Sequence, residues 1–132
     1  MPAYEAGDFD PPAPVAHASI GGPSGLVLSD IPLLIDTGAD YTVVSRWAAE
    51  RVGAMLRPSD IRVRLYEGTQ ARCYTAELTV AFLRFRFKGP FLIADSEFGL
   101  IGRNVLNVLV CTFDGPRQSW SASGPTAPSP SR

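Results

Sequence analysis

The residues with the clearest chemical content lie in one short segment, Leu33-Leu34-Ile35-Asp36-Thr37-Gly38-Ala39-Asp40. A carboxylate placed directly after three large aliphatics stands at the end of a buried strand, where an unpartnered charge is costly. Such a carboxylate can serve as a general acid or base. Asp and Gly also populate ordinary strand-end turns, and the tripeptide Asp36-Thr37-Gly38 alone does not separate the two readings. The balance shifts with a second segment later in the chain, Leu100-Ile101-Gly102-Arg103-Asn104.

Other chemistries are poorly supplied. The chain has one histidine, His17, and two cysteines, Cys73 and Cys111. A structural zinc site of Cys and His ligands cannot be assembled from these within one chain, and neither a metal nor a cofactor is expected. A Ser-His-Asp or Cys-His nucleophile would have to use His17, which has no nucleophile motif near it; His17 reads as a solvent-facing strand residue. The cysteines stand outside any C-x-x-C spacing and read as thiols rather than as a disulfide. Glycine-rich phosphate loops are absent. The stripe Phe82-Leu83-Arg84-Phe85-Arg86-Phe87-Lys88 interleaves aromatics with cations, as a clamp for single-stranded nucleic acid would. A strand with an apolar face inside and a charged face in water is the simpler reading. With a formal net charge of −1, no global field would hold nucleic acid or an anionic membrane.

The elements that must position the two segments are short strands. A length of 132 residues suits one domain, and 45% hydrophobic against 19% charged residues excludes wholesale disorder. Twelve Gly and twelve Pro favour a loop-rich, mostly β chain. Strands are expected at Val15–Ile20 and Gly25–Leu28 around the turn Gly21-Gly22-Pro23-Ser24, then at Leu33–Ile35 and Tyr41–Val44. Ser45 can cap a short helix, Arg46 to Val52, closed by Gly53. The alternation Ile61–Tyr66 and a returning arm Thr69–Thr75 make a hairpin. Further strands are expected at Glu77–Phe82 and at Phe85–Ile93, with Lys88-Gly89-Pro90 as a break. Gly99–Gly102 reads as a strand, Asn104–Leu109 as one or two helical turns, and Val110–Phe113 as the final strand. Residues 1–14 read as an N-terminal arm, 15–118 as the folded domain, and 119–132 as a disordered Ser/Pro-rich tail. No signal peptide is visible and no run approaches the ~18 apolar residues of a membrane span, so a cytoplasmic location is expected.

Together the two segments resemble the retropepsin-like aspartic proteases, the retroviral-type enzymes and their cellular relatives. The matching residues read Leu34-Ile35-Asp36-Thr37-Gly38-Ala39-Asp40 and Leu100-Ile101-Gly102-Arg103-Asn104-Val105-Leu106, in the family's order and at comparable spacing. The resemblance covers roughly residues 15 to 115 and implies an all-β fold: a closed acid-protease β-barrel with a flap hairpin and one or two short helices. It implies peptide-bond hydrolysis with Asp36, Thr37 and Gly38 as the catalytic triplet. Hydrolysis through an activated water needs one carboxylate to accept a proton and a second, protonated, to polarise the carbonyl. Two adjacent carboxyls that share one proton take these roles. This chain carries one Asp-Thr-Gly and no internal repeat; Asp114-Gly115 lacks the middle residue and the preceding strand. The second aspartate must then come from a second copy, in a C2 homodimer acting on a peptide or protein substrate.

The resemblance also assigns supporting positions. Asp40 would hold substrate backbone and pair with Arg103; if that pair is partly buried, breaking it costs ~3–5 kcal/mol. Gly102 belongs to the same structural support. Ala39, Tyr41, Val43 and Leu100 would line side-chain pockets. The hairpin Ile61–Thr75 takes the flap position, with Tyr66, Glu67, Gly68 and Thr69 at or near its tip. Two departures stand out: the flap has less glycine than in retroviral enzymes, and no terminal strand after Phe113 suits an interleaved dimer sheet. The dimer contact is therefore expected to follow cellular and bacterial relatives or to use the arm at Phe9–Val15. The alternatives are a retropepsin-like dimerisation or peptide-binding module without turnover and, far behind, a nucleic-acid-binding barrel.

Overall fold

The computed structural model describes residues 1–64 and 70–124. In chain order its elements are β1 (Tyr4–Glu5), β2 (Ala13–Gly21), β3 (Val27–Ile35), β4 (Val43–Ser45), α1 (Arg46–Arg51), β5 (Arg57–Arg64), β6 (Gln70–Phe82), β7 (Phe85–Ala94), β8 (Gly99–Ile101), α2 (Arg103–Leu106), β9 (Val110–Asp114) and β10 (Ser119–Ser123). The chain is mostly β, as the short period-two patterns require. Among the described residues no helix is long and apolar enough to cross a membrane.

Alternation sets the core. Ala16, Ala18 and Ile20 of β2 and Ile31, Leu33 and Ile35 of β3 all point inward, two residues apart. The expected strands at Gly25–Leu28 and Leu33–Ile35 are parts of one strand. Pairing of β2 with β3 runs from Val15↔Leu34 to Gly21↔Val27 and absorbs an irregularity near Ala18, opposite which Asp30 takes φ 61. Asp tolerates that left-handed conformation better than most residues, so the strand bends without ending. In the hairpin turn a Cβ on Gly22 would lie 1.9 Å from the Val52 carbonyl oxygen. Glycine there lets the turn pack onto the end of α1.

Eight strands pair in the order β1-β2-β3-β8-β4-β7-β6-β5, and β2 also pairs with β6 at Ser19–Gly21. Beside β3 runs β8, parallel, with Leu33↔Gly99, Leu34↔Leu100 and Ile35↔Ile101 in register. Strand β4 is parallel to β7 and meets β8 at Val43↔Leu100. Because β3 and β8 point the same way and end level, the two segments singled out in the sequence leave the sheet side by side.

Several expected boundaries shift, each for an identifiable reason. Residues 119–123, expected in a disordered tail, form β10, which pairs with β9 from Ser119↔Asp114 to Ser123↔Val110. Trp120 anchors it, fully buried, with its amide donating to the Pro2 carbonyl at 2.9 Å. One large aromatic outweighs the polar composition around it. The arm is likewise tied down: β1 pairs with β2 through Tyr4↔Pro14 and Glu5↔Ala13, and Tyr4 N donates to Gln118 O at 2.7 Å. Lys88-Gly89-Pro90 does not interrupt β7, which stays in register with β6 throughout. Among the described residues β7 has no partner on its other side before Leu92, so a proline is tolerated at that edge. Strand β6 is continuous where two strands were expected.

The helices are shorter than expected. In α2 the amides of Val108 and Leu109 donate three residues back, to Val105 and Leu106, both at 3.1 Å, and the helix tightens into turns. Ser45 occupies the N-cap position of α1 but makes no capping hydrogen bond; its hydroxyl donates to Glu97 O at 3.5 Å instead. In the aromatic-basic stripe, Phe82 is buried and stacks on Phe87 at 5.8 Å, while Arg84, Arg86 and Lys88 are exposed. The rings thus serve the core and the cations face water. No disulfide joins buried Cys73 to half-buried Cys111, and burial pushes the Cys111 thiol up.

Candidate active site

Asp36 follows the last residue of β3, and its amide donates to Ile101 O at 3.0 Å, extending the β3–β8 ladder by one step. Its carboxylate Oδ1 accepts the Gly38 amide at 3.0 Å, and its carbonyl accepts the Ala39 amide at 3.2 Å. This self-closed turn fixes the carboxylate in a half-exposed position. Among the described residues no donor reaches Oδ2.

The Gly102-Arg103-Asn104 segment braces the turn from the neighbouring strand. Arg103 N donates to Ala39 O at 2.9 Å and Asn104 N to Asp40 O at 3.2 Å. Arg103 Nη1 donates to Thr37 O at 2.7 Å, and Nη2 pairs with Asp40 Oδ1. One guanidinium therefore spans the turn from Thr37 to Asp40, using its fixed fork of donors. The expected Asp40–Arg103 pair forms, but it is not buried: the side chains are 71% and 42% exposed. Solvent screens it, and its worth falls from the ~3–5 kcal/mol of a buried pair to about 1 kcal/mol or less.

Behind the turn lies a residue that the sequence reading passed over. Thr42 is fully buried. Its amide and its hydroxyl both donate to Asn104 Oδ1, each at 2.8 Å, and its hydroxyl accepts the Gly102 amide at 3.0 Å. This knot ties the two segments together from below. Gly102 permits it, since a Cβ there would lie 2.5 Å from the Tyr41 carbonyl carbon and oxygen. In the sequence Thr42 is hidden inside Tyr41-Thr42-Val43-Val44, where it reads as β propensity. The available signal was its polarity in an otherwise core-forming run, with Asn104 as a possible partner.

The structure therefore brings Asp36, Thr37, Gly38, Asp40, Gly102 and Arg103 together. Of the expected pocket residues, Ala39 and Leu100 are half-buried beside the turn and Tyr41 is 44% exposed. Val43 is buried in a small cluster with Cys73, Leu92 and Ala94, and Leu100 packs against it. The expected flap hairpin falls on β5 and β6, which pair antiparallel with Arg64↔Gln70 as the last described pair. Tyr66, Glu67, Gly68 and Thr69 lie outside the described residues. Among the described residues no group of three or more His, Cys, Asp and Glu side chains is placed to hold a metal ion.

A family model described as aspartyl protease matches residues 16–105, a span that contains both segments. Among solved structures the chain is similar in fold to one titled EIAV protease complexed with the inhibitor HBY-793, with a TM-score of 0.57. The two share 20% sequence identity, and the match covers 72% of this chain and 86% of the other.

Proposed function

Because the chain belongs to the aspartyl protease family, we propose that it cleaves peptide bonds with a water held between two Asp36 carboxylates, one from each of two copies. It is a protease, and the proposal concerns how its site is completed. The observation that carries it is Asp36 itself: a carboxylate oriented by Gly38, with its second oxygen open, occurring once per chain.

In this reading one Asp36, ionised, takes a proton from the water while its oxygen attacks the carbonyl carbon. The other Asp36, protonated, donates to the carbonyl oxygen as charge develops there. The proton taken from water passes to the leaving nitrogen as the C–N bond breaks, and a hydroxyl of the intermediate returns a proton to the second Asp36 as the carbonyl re-forms, giving an acid and an amine. The singly protonated pair is the working form. Arg103 and Thr42 act as positioning residues, and Thr37 bonds across the two turns. Asp40 holds substrate backbone, and Ala39, Tyr41, Val43 and Leu100 contribute pocket walls.

The return of β2 onto β6 supports a closed barrel. Dimer contact through β9 is supported by its outer edge, which has no partner among the described residues, and by exposed Val108, Val110 and Phe113 nearby. The arm at Phe9–Val15 fits that role less well, because Phe9 packs on Phe98 and Ala13–Val15 are already paired. The test is a dilution series of peptide cleavage with molar mass read by light scattering. Specific activity should fall at the concentration where the dimer dissociates. Full activity from a monodisperse monomer would refute the two-copy site, and a dimer that cleaves no peptide would be the inactive module.

A further inference from the structure

Leu34 stands two residues before Asp36, on the face of β3 opposite to Leu33 and Ile35, because side chains alternate along a strand. Leu34 walls a cavity of about 110 Å³. Its Leu34 wall therefore lies two residues of chain, roughly 7 Å of strand rise, before Asp36. Val15, opposite Leu34 on β2, forms its floor. The rings of Phe9 and Phe98, packed on each other with centroids 5.8 Å apart, form an aromatic wall. Phe9 comes from the segment between β1 and β2, and Phe98 immediately precedes β8.

The cavity also has polar walls, supplied by Glu5, His17 and Asp8. Glu5 is engaged, with Oε2 3.0 Å from His17 Nε2, and His17 Nδ1 lies 2.7 Å from Asp30 Oδ1. Asp8 is exposed, and among the described residues no cation or donor reaches its carboxylate.

Resting on the reading of Asp36 as the catalytic carboxylate, the geometry points to a substrate subsite for a long side chain with an apolar stem and a cationic head, lysine or arginine, close to the scissile bond. The stem lies along the packed pair of rings Phe9 and Phe98, and the head reaches Asp8. Such side chains cover apolar surface with their methylenes while the charge stays solvated, and the aromatic walls attract the cation further. An acidic side chain meets Asp8 and Glu5 as like charges and is rejected. In a two-fold dimer the cavity occurs once on each side of the bond, so the preference holds at both symmetric positions.

The test uses the full chain and peptide pairs that differ only in lysine against norleucine next to the cleavage point. In one pair the scissile amide is replaced by a hydroxyethylene group, and binding is read by calorimetry. The lysine peptide should bind about 5-fold tighter. Asp8→Asn should remove that difference and leave norleucine binding unchanged, and Phe98→Ala should weaken both peptides about 10-fold. Equal binding of the two peptides by the unmodified chain, or a difference that survives Asp8→Asn, overturns the subsite. Cleavage of the matching amide peptides is read in parallel. Cleavage at equal rates refutes the subsite and leaves the Asp36 reading standing. A lysine preference in binding without cleavage of any peptide supports the cavity and refutes the Asp36 reading alone.

Discussion

Thr42→Val replaces a buried hydroxyl with a methyl of nearly equal volume, so it removes hydrogen bonds without opening a cavity. Two bonds go: the donation to Asn104 Oδ1 at 2.8 Å and the acceptance of the Gly102 amide at 3.0 Å. The first is worth about 1 kcal/mol net, and the second leaves a buried N–H unsatisfied at about 1–3 kcal/mol. The expected loss is therefore about 2–4 kcal/mol. Thr42→Ser is the control, since it keeps the hydroxyl and loses only a methyl, about 1 kcal/mol. Urea unfolding followed by tryptophan fluorescence gives both values, at one fixed chain concentration because a dimer's stability depends on it. Cleavage should fall in the valine variant at temperatures where it remains folded, because the turn carrying Asp36 loses its brace. A valine variant within about 0.5 kcal/mol of the unmodified chain would refute the reasoning, as would a serine variant less stable than the valine one.

Gly102→Ala should destabilise by about 3 kcal/mol, because its Cβ would lie 2.5 Å from Tyr41 backbone atoms that cannot rotate away; denaturant titration measures it. Trp120→Ala should cost about 3–5 kcal/mol, as expected for a fully buried indole; thermal melts that overlay the unmodified chain would mean that β10 does not pack. In a double-mutant cycle of Asp40→Ala and Arg103→Ala, the coupling should stay below about 1 kcal/mol, as for a solvent-screened pair. Arg103→Ala alone should cost more than Asp40→Ala, because it also releases Thr37 O.

What was legible in the sequence was local. Asp36-Thr37-Gly38 announces a turn with a carboxylate through residue types alone, and Gly102-Arg103 supplies the close approach and the donor fork that brace it. The level ends of β3 and β8 then make neighbours of residues distant in the chain. Thr42 was not legible, since its role depends on Asn104 of α2, 62 residues away in the chain, meeting it, and local propensity already explained a threonine there. The Asp40–Arg103 pairing could be anticipated but its exposure could not, because solvent access belongs to the assembled turn. Ser119–Ser123 was misread from composition: Ser and Ala dominate the count, while Trp120 alone supplies the buried area that orders the strand. Within the arm, prolines obscured the pairing of Tyr4 and Glu5 with β2.

The two-copy site is tested most directly by mixing. Asp36→Asn chain is added to unmodified chain at constant total concentration, well above dimer dissociation, and peptide cleavage is measured after the subunits have exchanged. If each site needs an Asp36 from both copies, mixed dimers are inactive and activity follows the square of the unmodified fraction. An equal mixture then retains about one quarter of full activity. A linear decline, with about one half retained at equal mixing, would mean that one chain's Asp36 suffices and would contradict the account.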